Sequence, residues 1–339
     1  MSKPSETNTL PGADATANPV YTLATAPGPA AQPVCYAASR AGLLAAIDGG
    51  ATWRPLFTVL NLPELLPATA VAVSPDHAAD GTVFVGTNGG ILRSFDRGAS
   101  WYVAQLPAPP PLIVALATSP DFGDDGVVFA VTAQDGVFQS ADRGSGWVAW
   151  NFGLLDLNLF CLAVSPAFAR DETLFVGAEG GVYHSTNGAR AWRELGFPAD
   201  AAPVLSLALS PHFESDGTLW AGTEAGGLFV SGDGGESWRR LLDGEIGAIN
   251  ALAAAANPEG GTTLLLLADG GLLRSENGGA TWQDLSGLLE GDASAMCLAA
   301  PSALDAGAPI FVGRVDGTVR RIVLPVSART NPPWPVVAK

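Results

Sequence analysis

The side chains with the most scope for chemistry in this sequence are its carboxylates. Acids stand in short predicted turns at Asp135, Glu179, Glu224, Asp269 and Asp316, and in longer connections at Glu64, Asp156, Asp243, Glu245 and Glu290. Two carboxyl groups held about 5–9.5 Å apart can hydrolyse a glycosidic bond, one as the acid and the other as nucleophile or base. An acid in a turn, however, commonly does no more than accept backbone N–H groups in solvent. The three histidines, His77, His184 and His212, are scattered, so no metal-ligand cluster is expected. No glycine-rich phosphate loop, nucleophile elbow or paired-cysteine motif is present. These residues name no reaction. The sequence predicts neither a cofactor nor a metal site, and the expected protein is not an enzyme.

The elements that position these acids come from a repeat. A phrase ending in tryptophan recurs as AIDGGATW (46–53), SFDRGASW (94–101), SADRGSGW (140–147), STNGARAW (185–192), SGDGGESW (231–238) and SENGGATW (275–282). The tryptophans lie 48, 46, 45, 46 and 44 residues apart. A period in this range, made of short strands and glycine turns, predicts a β-propeller in which each repeat is one four-stranded blade that cannot bury its faces alone. First strands align at Thr22, Ala70, Ala115, Cys161, Ser206, Ala251 and Cys297, which makes seven blades. The third position of each is alanine, the first is small, and the residue between them is leucine or valine. Residues two apart share a strand face, so the large face of one innermost strand should pack on the small face of the next. Second strands centre on Tyr36, Phe84, Phe129, Phe175, Trp220, Leu265 and Phe311, which should fill the wider space farther out.

The expected fold is therefore all-β, a seven-bladed β-propeller of four-stranded antiparallel blades with the repeated phrase as the turn between strands three and four. Residues 1–19 are expected to be a flexible polar segment and 20–339 a single propeller. Blade seven lacks the phrase. Trp334–Val337 echoes Trp53–Leu56 and is the preferred source of its outer strand, with Thr7–Leu10 as the rival.

The phrase follows S-x-D-x-G-x-T-W and resembles the Asp-box, or BNR repeat, of sialidases, sortilin-type receptors, xyloglucanases and photosystem II assembly factors. In such a turn the Asp accepts backbone N–H groups, glycine permits positive φ, and tryptophan buries a large ring. Asp48, Asp96, Asp142 and Asp233 keep the acid, whereas Asn187 and Asn277 replace it with a neutral acceptor. The rings are Trp53, Trp101, Trp147, Trp192, Trp238 and Trp282. One acid per turn falls far short of the roughly six to eight oxygens that calcium takes, so the turn is read as structural. The resemblance implies the same, because in those families the box lies away from the active site.

Sialidases hold a substrate carboxylate with three arginines and use a tyrosine nucleophile paired with a glutamate. Here Tyr21, Tyr36, Tyr102 and Tyr183 fall in strand positions that packing explains. Arg97, Arg143 and Arg190 sit inside the repeated turns, and Arg93, Arg274 and Arg320 share one place in strand three. No arginine triad emerges. The photosystem II assembly-factor type, seven-bladed and nonenzymatic, is the most similar in overall plan. That type is usually exported to the thylakoid lumen and uses a basic patch, and this sequence displays neither an export signal nor such a patch.

Apolar residues make up 47% of the 339-residue chain, yet no run approaches the roughly 18 residues that a membrane helix needs. The first nineteen residues carry no apolar signal region, which makes the cytoplasm the default expectation, or export if a leader has been trimmed away. Cys35, Cys161 and Cys297 fall in predicted strands and read as small buried hydrophobes. With 33 acidic against 17 basic residues, nucleic acid and membrane insertion are poor expectations.

Three inter-blade connections are unusually apolar: Phe57–Thr69, Gln105–Ile113 and Val148–Phe160. They fall on successive blades at one rim, so Leu62, Leu65, Leu66, Pro109, Pro110, Trp150, Leu154, Leu155 and Leu157 are expected to form a patch, ringed by acids, that binds a protein partner. The expected function is a non-catalytic protein-binding or assembly scaffold. The alternative is a carbohydrate-active propeller, glycoside hydrolase or glycan-binding lectin, using the acidic rim.

Overall fold

A twisted four-stranded blade is apolar on both faces, and only a closed ring of blades covers both. The computed structural model closes that ring with seven four-stranded antiparallel sheets. It describes residues 6–9, 18–26, 32–243, 246–269, 271–290, 294–301 and 303–326. Blade four shows the plan. Leu159–Val164 lies innermost, Leu174–Ala178 and Val182–Ser185 follow outward, and Arg193–Glu194 forms the short outer strand. Its innermost strand carries a register shift between Leu159 and Cys161, and the other six blades shift at the same place. Such a bulge bends the strand and increases its twist, which helps it follow the channel wall.

The core consists of layers between blades. Leu162 packs against the cluster shared by blades three and four, with Phe129 and Val176, whereas Cys161 and Ala163 pack into the cluster shared with blade five, beside Phe175 and Leu207. Leu252 and its neighbours Ala251 and Ala253 divide in the same way. The large-on-small stacking read from the sequence is the arrangement observed. Each bulky second-strand residue is buried, and Phe311 of blade seven reaches Cys35, Ala37 and Trp53 of blade one, completing the ring.

Closure corrects the sequence reading. Glu6–Thr9 pairs antiparallel with Thr318–Val323, with Thr7 opposite Arg320 and Thr9 opposite Thr318. The N-terminal strand, not the C-terminal segment, is the outer strand of blade seven, so residues 6–9 belong to the propeller rather than to a flexible segment. This places the first strand of the chain in the same sheet as the last, and hydrogen bonds as well as packing join the two ends of the ring. Leu10 and Trp334–Val337 lie outside the described residues.

The sequence reading missed a helical turn between the first and second strands of blades two to five. The turns are His77–Asp80, Phe122–Asp125, Phe168–Asp171 and Phe213–Asp216. Ser74, Ser119, Ser165 and Ser210 each donate Oγ–H to the carboxylate six residues on, at 2.5–2.6 Å. The other carboxylate oxygen accepts the backbone N–H two residues beyond. A repeated S-P followed by Asp at the fifth residue after the proline was the legible signal. The first residue of each turn packs edge-on against the second-strand ring of the preceding blade: Phe84–Phe122, Phe129–Phe168 and Phe175–Phe213, with centroids 5.3–5.6 Å apart. At the first seam a polar pair takes this place, Tyr36 Oη lying 2.8 Å from His77 Nε2. Burial, reinforced by the charge of Arg97, pushes the His77 imidazolium below its ordinary range.

The repeated turn shows why Asn can replace Asp. Asp96 Oδ1 accepts Ser94 Oγ–H and Ser100 N–H, both at 2.8 Å, and Oδ2 accepts Ser100 Oγ–H at 2.6 Å. Gly98, at φ +86°, donates to Ser94 Oγ, and a Cβ there would lie 2.6 Å from Leu56 of the preceding blade. Asn277 keeps both Oδ1 contacts and reverses the third, with Nδ2 donating to Thr281 Oγ1 at 2.9 Å. In the fourth copy Ala189 takes φ 72° where the others have glycine.

Burial raises the carboxyls of Asp48, Asp96 and Asp142, but their hydrogen bonds outweigh it and the net shift is downward. Asp233, held by the hydroxyl of Ser231 and then by Ser237, falls to about 2. A folded pKa below the unfolded value means stabilisation that is complete above about pH 4 and lost as the pH drops toward that folded value. Asp233→Asn is therefore expected to lower Tm at neutral pH, where the carboxylate contributes fully, and to make the loss of Tm between about pH 4 and 2 shallower. Calorimetry across that range checks it, and an unchanged slope would show that this turn does not set acid stability.

Candidate binding face

The antiparallel order puts the repeated turns and helical turns on one face, and the strand two-to-three hairpins and inter-blade connections on the other. This second, hairpin face carries the predicted site. Its best-defined segment crosses the seam between blades three and four. Trp150 N–H donates to Val137 O at 3.0 Å, and Asn151 bridges blade three by accepting Val137 N–H and donating to Asp135 O, both at 2.8 Å. Phe152 O accepts Trp192 N–H at 2.8 Å, and Trp192 Nε1–H donates to Trp150 O at 2.8 Å. Farther on, Asp156 accepts Asn158 N–H and Gly180 N–H, and Asn158 Nδ2 donates to Glu179 Oε2 at 2.8 Å. Between these anchors Leu154 plugs the core, while Phe152 and Leu155 are each 80% exposed.

The nine predicted contact residues separate accordingly. Leu62, Leu65, Pro109, Pro110 and Leu155 are exposed, and Leu66, Trp150 and Leu157 are half-buried. Leu154 is a correction: it is 6% exposed and belongs to the core cluster of blades three and four, because the loop must bury one side chain to lie on the seam. Trp150 and Leu157 pack against that same cluster, and Leu66 packs against the cluster of blades one and two. What faces solvent is Leu62 and Leu65 over one seam, the two prolines over the next, and Leu155 over the third. Phe152, which the sequence reading passed over, joins Leu155. Its signal was an aromatic residue directly before a glycine in a turn.

The inner end of this loop meets the channel mouth. A cleft of about 410 Å³ is lined there by Val114, Ala133, Asn158, Leu159, Phe160, Pro203, Glu179 and Glu224. Glu179 and Glu224 come from the hairpins of blades four and five, so the sheet order brings together two acids that stand 45 residues apart in the chain. Several other rim acids have structural partners. Asp269 accepts from Asn250, Asp243 pairs with Arg240, Asp316 accepts Thr318 N–H, and Glu290 pairs with the buried Arg320 at 2.5 Å. Glu245 lies outside the described residues.

The remaining candidates for chemistry are held by packing. His184 stacks on Phe175 with centroids 4.4 Å apart, and burial, followed by the charge of Arg193, lowers its pKa to about 4. Tyr36 and Tyr183 are buried as expected, but Tyr21 and Tyr102 are exposed, Tyr102 leaning on Phe95. Burial raises the Cys35 and Cys297 thiols to about 12, far from reactive thiolates. Among the described residues no group of three or more His, Cys, Asp or Glu is placed to hold a metal ion, and no helix is long and apolar enough to cross a membrane.

No protein-family profile and no curated protein matches the sequence. Solved structures do. YCF48 bound to D1 peptide superposes with a TM-score of 0.70 at 20% identity, over 95% of this chain and 97% of that one. YCF48 from Cyanidioschyzon merolae gives 0.68 at 15%, over 95% and 99%. The GH74 xyloglucanase from Xanthomonas campestris gives 0.69 at 18%, over 98% of this chain and 55% of the enzyme. At these identities the likeness is one of fold, and the chain is a seven-bladed β-propeller of that kind, closed by its own N-terminal strand.

Proposed function

We propose that this protein is a non-catalytic scaffold that docks a protein partner on its hairpin face. The observation that carries the reading is the pair Phe152 and Leu155, each 80% exposed on a loop fixed by backbone and side-chain hydrogen bonds. A loop already held in place loses little further entropy on binding, and burying two large apolar side chains is worth about 1.5–3 kcal/mol each. A similar propeller, YCF48, has been solved with a peptide bound, which supports a peptide or protein ligand for this fold. Phe152→Asp combined with Leu155→Asp is expected to abolish recovery of the partner in a tagged pull-down from the native host. Because both side chains are exposed, stability should stay within about 0.5 kcal/mol for each change. Parallel loss of binding and Tm would instead mark the two residues as packing elements.

A second reading rests on Glu179 and Glu224 opening onto one cleft beside Phe160. A pair of carboxyl groups at one cleft is the equipment of a glycoside hydrolase when they stand about 5–9.5 Å apart. Release of reducing sugar from a panel of β-glucans, lost in both Glu179→Gln and Glu224→Gln, would replace the scaffold with a glycosidase.

A further inference from the structure

We propose that the cleft at the channel mouth receives a basic side chain of the docked partner, so that the partner segment carries arginine or lysine beside an apolar anchor. The inference rests on the scaffold reading and adds the chemistry of the ligand. It comes from how charge divides between the two faces. The hairpins of blades two to five, and the connections from blade one through blade five, hold Glu64, Asp135, Asp156, Glu179, Asp200 and Glu224 and not one lysine or arginine. Apart from Arg40 in the hairpin of blade one and Arg240, which approaches the blade-five hairpin at Gly227 and pairs with Asp243, the cations of these blades lie on the opposite face or the outer wall. There Arg97 donates to Ala78 O and Arg143 to Gly123 O on the helical turns, while Arg170 pairs with Glu214 at 2.5 Å and Arg190 with Glu172 at 3.2 Å. On the turn face Glu172 and Glu214 thus meet a guanidinium, whereas Glu179 and Glu224 of the hairpin face stand at a mouth lined by apolar side chains.

Like charges around a low-dielectric wall focus negative potential, and a cation entering there relieves it. The cleft offers such a cation a complete set of contacts. Glu179, oriented by Asn158 Nδ2, and Glu224 supply charge-assisted acceptors. Phe160, 40% exposed, supplies a ring for the guanidinium or ammonium, and Val114 and Pro203 line the wall for its aliphatic stem. At about 410 Å³ the cleft falls within the usual range for small ligand sites. Phe152 and Leu155 lie on the loop whose inner end is Asn158 and Phe160, so one extended segment can set an apolar residue on the loop and a basic one in the cleft.

The test uses the full chain and three fluorescently labelled decapeptides of equal leucine content, in which leucine alternates with arginine, serine or glutamate. Anisotropy titration should show the arginine peptide binding at least about tenfold tighter than the serine peptide, with no binding of the glutamate peptide. Glu179→Gln with Glu224→Gln should weaken the arginine peptide about tenfold. Asp121→Asn with Asp124→Asn, which removes the same charge from the opposite face, should leave it within about twofold. Equal weakening by the two pairs would show a general attraction to a chain of net charge −16 and overturn the proposal, as would a serine peptide that binds equally well. Retention of the native partner by the double Gln variant, with its loss in the Phe152→Asp, Leu155→Asp variant, would overturn the basic ligand and leave the scaffold standing. Retention by both variants would overturn the scaffold itself.

Discussion

Replacing Trp192 with alanine is expected to destabilise the propeller by about 3–5 kcal/mol and to loosen the loop that presents Phe152 and Leu155. The ring is 6% exposed in the layer between blades three and four, where it meets Phe129, Leu154 and Leu174, so its removal leaves a large cavity. It differs from the other rings of the repeat in what its Nε1–H does. Trp147 bonds within its own turn, to Gly144 O at 3.2 Å, and the indole nitrogens of Trp53, Trp101, Trp238 and Trp282 are buried without an acceptor. Trp192 alone among the six reaches the preceding blade, donating to Trp150 O at the start of the exposed loop. Trp192→Phe keeps most of the ring and loses that bond, and should cost about 1–3 kcal/mol less than alanine. Urea unfolding ranks the variants, and partner recovery reads the loop. If phenylalanine binds partner as the parent does while alanine fails, packing positions the loop; if both fail, the hydrogen bond does.

Gly86→Leu should also cost about 3 kcal/mol, and less than that when it is made in an Ile113→Ala background. Gly86 lies two residues past Phe84 in the second strand of blade two, and a Cβ there would come within 2.5 Å of Ile113 Cγ2 in blade three. The same position is glycine at Gly177, Gly222 and Gly313, each against a β-branched residue of the next blade: Val204, Ile249 and Val20. At the seam of blades six and seven the sizes are reversed, Leu267 facing Ala295. Ala38 meets Ala68, and Val131 meets Leu159. Five of the seven seams thus set a large residue against a small one at this position, and the other two pair residues of similar size. Ile113→Ala alone should cost about 2–5 kcal/mol by opening a cavity. In a double-mutant cycle the pair should be less destabilised than the two changes summed, by about 1 kcal/mol or more. Strict additivity would show that the two sides of the seam do not share their space. Gly232→Ala, with nothing within 4 Å of the added Cβ, is the tolerated control.

Much of this architecture is carried by the sequence alone, because the forces that write it are local and repeated. The spacing of the tryptophans, the alanine at the third position of each innermost strand and the large residue beside it fix seven blades and the direction in which each buries its large face. The Asp or Asn of the repeated turn follows from acceptor geometry within eight residues, and the Ser and Asp that clamp the helical turns were equally local, though overlooked. The tertiary structure decided what depends on partners distant in the chain. Two short segments, one near each terminus, could have completed blade seven, and only the geometry of the closed ring selects Glu6–Thr9. Leu154 and Leu155 are identical neighbours in sequence, yet one fills the seam and the other faces water, because the hydrogen bonds of Asn151, Phe152 and Asp156 to two blades set the pitch of the loop between them. Glu179 and Glu224 share a cleft only because two hairpins from adjacent blades meet at the channel mouth, and the separation of acids from bases becomes visible only once strand order assigns every loop to a face. Periodic burial is written residue by residue, whereas the surface a propeller offers is set by which loops the ring brings together.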